Sequence, residues 1–467
     1  MNVQEVYGPG PLLVGVGFVL ITLWGVWRIV RYVRADKETR RSIRQAVRIR
    51  AGWRRLARMA GLSVTDRTPT FLASLNTNER AELKPRELVP SIATTADRFG
   101  VIIRVKLLPK VGIDELQAKA RFLAAAWGCV RVSVRPDKPG CAVLRAVRCD
   151  PLTTQTAFEP SGQPPDDLTQ WPVGVDEYAE PVSIGVKDTS GATVAGRAGG
   201  GKSVLLNGLI SRYAPSPAVQ FAVADGKVSH ASEGDYADVL PRLFAHVGDD
   251  LEEANDLFNR LVRLRRDRSS VIRRVLGVVN MWRIGPTPSW PLVVVVIDEA
   301  HTFFRDHKGS DAKTKKLAAL AAENARLVED LVKKGRSVGI FTVLATQKAT
   351  GDAIPTFIRD VCGAALSFAQ RTTEASVAAL GEDIRNWPDA DPVALQGAEY
   401  VGVASMAVEG REGFTRVRTP WVDEVSVAWV AGLTRHLTQD PARLLAELIG
   451  PSLHKVPDIA DDGSGAV

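Results

Sequence analysis

The sequence predicts an α/β chain in three parts: one apolar spanning helix, a small α+β domain and a larger domain built on a parallel sheet. Three observations predict it. Residues 11–27 read PLLVGVGFVLITLWGVW, without a charge. Residues 100–147 read as three alternating strands around one helical stretch. From 181 to 423, apolar strand-like runs alternate with helical spacings, the pattern of a parallel sheet covered on both faces.

The apolar run is at the short end of the lengths that cross a bilayer. Ile29, Val30, Tyr32 and Val33 extend it if Arg28 snorkels to the surface. Trp24, Trp27 and Tyr32 cluster near one end, where interfacial aromatics belong. No positive cluster precedes the run and no small-residue cleavage site follows it, which argues against a signal peptide. Between Arg28 and Arg58 stand eleven Arg and one Lys against Asp36 and Glu38, a block of +10. The positive-inside rule then gives a single-pass protein of the inner or plasma membrane with its body in the cytoplasm. The block either serves only as this topological signal or also grips anionic lipid.

That block also accounts for the basic balance. The whole chain of 467 residues carries +7, so the remainder carries −3, and the pI of 9.2 is no argument for nucleic-acid binding. With 45% hydrophobic and 24% charged residues the chain can bury a core, which excludes a disordered or fibrous protein. Four cysteines fit no metal spacing and read as reduced thiols.

Composition divides the chain into a spanning anchor (1–33), a basic juxtamembrane helix (34–66), a small α+β domain (67–150), a linker (151–180), the large α/β domain (181–423), and a short helical C-terminus with a disordered tail (424–467). In the small domain, Gly100–Leu108 alternates as a strand. Asp114–Trp127 has helical spacing closed by Gly128. Val130–Val134 and Ala142–Val147 are two further strands.

The large domain opens with a phosphate loop. Gly196, Arg197, Ala198, Gly199, Gly200, Gly201, Lys202 and Ser203 match GxxxxGK[ST], between a short strand at Ala192–Ala195 and a helix starting at Val204. The glycines let successive N–H groups turn towards a phosphate, and the helix N-terminus adds positive charge. Lys202 is expected to reach the β- and γ-phosphates of ATP, and the Ser203 hydroxyl to ligate Mg2+.

Pro291–Ala300 reads PLVVVVIDEA, a strand buried on both faces that ends in Asp298 and Glu299. Asp298 is expected to hold a magnesium-bound water and Glu299 to act as general base on the attacking water. A strand over Gly339–Ala345 ends in Thr346 and Gln347, and Gln347 can touch the γ-phosphate or the lytic water if that strand lies between the first two in space. The predicted class is then an additional-strand, RecA-like P-loop domain. A fourth strand, Ala218–Ala224, ends in Asp225-Gly226-Lys227, lining the same edge with a role that could be structural.

Together, Gly196–Ser203, Asp225–Lys227, Val293–Ala300, Lys334–Ile340, Leu344–Gln347 and Ile354–Thr356 resemble the FtsK/SpoIIIE family of DNA translocases. The run around Arg336 is the most discriminating. The resemblance implies a homo-hexameric ring around double-stranded DNA, with ATP between subunits and a trans arginine on the neighbour's γ-phosphate. Arg336, Arg359 and Arg371 are the candidates. Two departures, a single membrane helix and a C-terminus too short for a DNA-reading winged helix, point to the plasmid or integrative-element transfer proteins of actinobacteria. Loading or channel proteins would then be partners. The alternatives are a coupling ATPase that feeds single-stranded DNA or protein into a secretion channel, and an assembly scaffold that uses ATP as a switch.

Overall fold

The computed structural model describes residues 30, 32–66, 86–230, 232–347 and 353–450. The apolar segment 11–27 lies outside the described residues. Among those described, no helix is long and apolar enough to cross a membrane. The chain divides into two compact units, Met1–Thr154 and Gln155–Val467.

The first unit begins with helix α1 (Lys37–Met59), capped by the Asp36 carboxylate. It is followed by β1 (Val64–Asp66), β2 (Arg86–Leu88), β3 (Ile92–Ala96), β4 (Gly100–Lys106), α2 (Ile113–Ala118), α3 (Ala120–Trp127), β5 (Arg131–Pro136) and β6 (Cys141–Val147). The sheet is antiparallel, in the order β3-β4-β6-β5. Gly128 ends α3 in the left-handed conformation that a residue without Cβ adopts most readily. Helix α1 does not stand apart from the small α+β domain that follows it. The apolar spacing Ile49, Trp53, Ala57 puts one face of α1 into the sheet's core, beside Val101, Ile103 and Leu144. The Trp53 ring sits 6.2 Å from that of Trp127, and its indole N–H donates to the Pro90 carbonyl at 2.6 Å. The arginines occupy the other face, so composition had concealed a core helix.

The second unit holds β7 (Gln170–Asp176), β8 (Pro181–Gly185), β9 (Gly191–Ala195), α4 (Lys202–Tyr213), β10 (Val219–Asp225), β11 (Leu243–Val247), α5 (Leu251–Leu276), β12 (Leu292–Asp298), α6 (His301–Phe304), α7 (Ala312–Lys334), β13 (Ile340–Thr346), α8 (Thr356–Arg359), β14 (Ala364–Ser367), α9 (Thr373–Leu380), β15 (Val403–Ala407), β16 (Phe414–Arg418), α10 (Glu424–Thr434) and α11 (Pro441–Ile449). One ten-stranded sheet runs β11-β10-β12-β13-β9-β14-β15-β16-β7-β8. The first six strands are parallel and the last four antiparallel. Residues 151–180, read as a linker, therefore contain a strand of this sheet. Trp171 and Val173 of β7 point into the core, while the proline- and aspartate-rich residues before them make the turns.

Alternation along the strands builds two cores. Val294 and Val296 face Leu206, Leu209 and Ile210 of α4, while Val293, Val295 and Ile297 face Phe258 of α5 and Leu327 and Leu331 of α7. Every residue of β12 is buried. Strand β13 lies between β12 and β9, which is the insertion that the reading of Gln347 required.

Candidate nucleotide site

Five parallel strands end at one edge of the sheet, where open α/β folds bind ligands. There β9 runs into the phosphate loop, β10 ends in Asp225, β12 in Asp298, β13 in Thr346, and β14 leads to Phe368. The register sets Asp225 directly beside Asp298. The sequence favours this convergence: β10, β12 and β13 are buried, mostly apolar runs that close on Asp225, Asp298 and Thr346 where the sheet ends.

The loop needs its glycines. Gly196, Gly199 and Gly201 have φ of 149°, 72° and 116°. A Cβ on Gly196 would lie 2.6 Å from Cβ of Phe368, and one on Gly201 3.2 Å from Cα of Gly402. The Gly402 N–H donates to the Gly200 carbonyl at 3.1 Å, and the Arg197 N–H to the Ala369 carbonyl at 3.0 Å. The P-loop is thus braced from β14 and β15. Phe368 and Gly402 had no signal in the sequence, because each acts through a contact across the sheet.

Lys202 is buried, and its Nζ donates to the carbonyls of Gly196 at 2.7 Å and Arg197 at 3.3 Å. Burial lowers its pKa, opposed by the charges of Glu299 and Asp298. Val204 follows Ser203 in the first turn of α4.

Asp298 is fully buried. Its Oδ1 accepts the Glu299 N–H at 2.9 Å and its Oδ2 the Tyr236 hydroxyl at 3.1 Å. Lys227 completes this corner: its Nζ lies 3.4 Å from Asp298 Oδ2, 3.3 Å from Ser203 Oγ and 3.0 Å from Asp235 Oδ2. Burial works to lower the Lys227 pKa, but the Asp298 and Asp235 charges prevail and hold it above the usual range. Burial pushes Asp225 up to about 6, and the Asp298 charge adds to that rise. Three oxygens around one ammonium are a donor set that fits a small hard cation. Ser203 and Asp298 are thus positioned to hold Mg2+, with phosphate and water completing its shell. Asp235 and Tyr236 went unnoticed in the sequence because they stand in an irregular loop without strand or motif.

Glu299 has a left-handed φ of 48°, uncommon for a residue with a Cβ. This turns its carboxylate back under β13. Its Oε2 accepts the Gln347 backbone N–H at 3.2 Å and lies 3.2 Å from Nδ1 of His301. Burial raises its pKa, but the bonds from His301 and Gln347 and the Lys202 charge outweigh it, so Glu299 stays below its ordinary range and ionised. Oε1 is buried without a protein partner among the described residues, which leaves one acceptor for a water.

The candidate trans arginines separate. Arg371 is exposed, two residues past the Ala369 carbonyl that braces the P-loop. Arg336 is exposed at the opposite edge, one length of β13 away, about 20 Å at a strand's rise per residue. Its backbone is held by Trp282, whose indole N–H donates to the Arg336 carbonyl at 2.9 Å. Arg268 and Trp290 both donate to the Val338 carbonyl. Arg359 is tied inward, donating to the Ala378 carbonyl at 2.5 Å.

A P-loop after β9, a buried Asp-Glu pair at the end of β12 and a polar strand end on β13 between them define this chain as a P-loop ATPase. Residues 165–283 match the FtsK/SpoIIIE family, and residues 41–148 match the actinomycete conjugal transfer protein N-terminal domain. The two family models thus match successive, non-overlapping parts of the chain. It is 24% identical over 335 residues to a DNA translocase FtsK of Streptococcus pyogenes, covering 64% of this chain and 39% of that protein. A DNA translocase FtsK 2 of Ralstonia nicotianae is 26% identical over 304 residues, covering 56% of this chain and 36% of that protein. The chain therefore spans well under half the length of these relatives. Among solved structures, the pCW3 conjugation coupling protein TcpA with ATPγS has a TM-score of 0.48 at 14% identity, covering 86% of this chain and 99% of that one. The cytoplasmic domain of the type VII secretion ATPase EccC from Thermomonospora curvata has a TM-score of 0.44 at 20% identity, covering 62% and 34%.

Proposed function

We propose that this chain is a membrane-anchored motor that uses ATP hydrolysis to move double-stranded DNA during conjugative transfer. The observation that carries the motor chemistry is the convergence of Lys202, Ser203, Asp298, Glu299 and Gln347 at one sheet edge with the inserted strand between. The conjugal-transfer match at 41–148 and the FtsK/SpoIIIE match at 165–283 support the cargo and setting. The uncharged segment 11–27 and the arginine block behind it support a single-pass anchor with the motor in the cytoplasm.

In this reading the P-loop N–H groups and Lys202 bind the ATP phosphates, and Ser203 and Asp298 hold Mg2+. Bound Mg2+ neutralises charge that develops on the transferred phosphoryl group. Glu299 Oε1 accepts the proton of the attacking water, and Gln347 keeps that carboxylate aimed. Arg336 reaches the neighbouring subunit's nucleotide in a homo-hexameric ring, because its own site is a strand's length away. Duplex DNA is gripped through phosphate contacts, which carry no sequence information and suit a motor indifferent to sequence.

Displacement of a triplex-forming strand from linear duplex DNA by the full chain tests this reading. ATP-dependent release that disappears in Glu299→Gln supports it. ATP turnover with no release on any duplex contradicts it, and shifts the reading to a coupling ATPase for single-stranded DNA or protein.

A further inference from the structure

The Lys227 ammonium lies within 3.4 Å of Asp298 Oδ2, 3.3 Å of Ser203 Oγ and 3.0 Å of Asp235 Oδ2. Two of those oxygens are the ones assigned to the metal. A divalent ion ligated by Ser203 would stand about 2 Å from its Oγ, so ion and ammonium would claim the same few ångströms. Like charges do not share such a site. Asp298 is fully buried, and burying a carboxylate is costly without a positive partner or hydrogen bonds. The Tyr236 hydroxyl supplies one neutral bond, and Lys227 supplies the charge.

We propose that Lys227 is the protein's own stand-in for the catalytic metal: its ammonium and Mg2+ hold Ser203 and Asp298 by turns, and entry of the metal displaces Lys227. The proposal rests on the ATPase reading of the site. The backbone of Lys227 is fixed, since its N–H donates to Asp225 Oδ1 at 3.1 Å. Its side chain is a point charge on a flexible four-carbon stem, and only the stem has to swing. Asp235 stands on the exposed side, with its side chain about half exposed, so a displaced ammonium keeps one carboxylate partner at the rim. In this account the Asp225-Gly226-Lys227 triplet is a positioning element: it holds the metal corner assembled between turnovers and makes metal binding wait on the move of one side chain.

The test is Mn2+ binding to the full chain without nucleotide, read from the electron paramagnetic resonance signal of free Mn2+. Lys227→Met should bind Mn2+ at least tenfold more tightly than wild type, because the competitor is gone. Lys227→Arg, which keeps the charge, should stay with wild type. Adding Asp298→Asn to Lys227→Met should abolish the gain and so locate the ion. Equal affinity in wild type and Lys227→Met overturns the proposal, and so does a gain that survives Asp298→Asn. If circular dichroism shows that Lys227→Met is unfolded, Lys227→Gln takes its place with the same expectations. Wild-type ATP turnover is read separately: its absence would sink the ATPase reading, whereas unchanged Mn2+ affinity sinks only the metal exchange.

Discussion

The Gln347 backbone N–H donates to Oε2 of Glu299 at 3.2 Å, joining the strand inserted into the sheet to the residue placed to activate water. That bond leaves Oε1 as the acceptor with no protein partner among the described residues. Glu299→Gln should therefore bind ATP with near wild-type affinity and lose at least a hundredfold in single-turnover hydrolysis, in line with removal of a general base. Near-normal single-turnover hydrolysis would remove Glu299 from that role.

Lys202→Ala should abolish ATP turnover and weaken ATP binding. The Lys202 Nζ now donates to two loop carbonyls and is the group free to re-aim at phosphate. A fluorescent ATP analogue titrated into both proteins measures the change. Retained turnover would mean that the loop does not hold phosphate.

Arg336 and the P-loop stand at opposite edges of the sheet. Arg336→Ala should bind ATP normally and hydrolyse it at least a hundredfold more slowly. Mixing it with Lys202→Ala should restore turnover, because a ring then contains intact sites facing intact arginines. Mixtures as inactive as either variant alone would place the essential arginine elsewhere, with Arg371 the next to substitute.

Asp225 gives a pH signature. Its folded pKa of about 6 lies above the ordinary aspartate value, so its contribution to stability is full below pH 4 and is lost as pH rises through 6. Asp225→Asn removes that loss. Urea unfolding of the large unit in the absence of metal should show the variant more stable than wild type by about 3 kcal/mol at pH 7, with the gap closing towards pH 4. Parallel curves would mean that Asp225 is not protonated preferentially in the folded state.

Trp53 is a core residue on the arginine-rich helix, 3% exposed. Trp53→Ala should destabilise the small unit by about 3–5 kcal/mol, measured by chemical denaturation. A change below about 1 kcal/mol would mean that the Trp53 face of α1 does not contribute to that core.

Much of the site was legible because it obeys local rules. The glycine spacing and Lys202 declare a phosphate loop, and the uninterrupted β-branched run before Asp298 declares a central parallel strand. The place of β13 between β12 and β9 was legible only as a condition on Gln347, because strand order is a property of the whole sheet. Trp171 in β7 was hidden behind a turn-rich stretch, since β7 joins the large sheet through β16, more than two hundred residues away. Lys227 was visible in its triplet, but its role depends on Ser203, Asp235 and Asp298 meeting in space. The core face of α1 was not read from the sequence, because nine basic residues dominate its composition while its apolar spacing marks the core.

The most direct test of the central claim is steady-state ATP hydrolysis by the full chain with no nucleic acid, with single-stranded DNA and with double-stranded DNA, each over a range of salt. The account predicts strong stimulation by duplex DNA that fades as salt rises, as phosphate-directed binding must. Turnover indifferent to duplex DNA, or stimulated more by single strands, would contradict it.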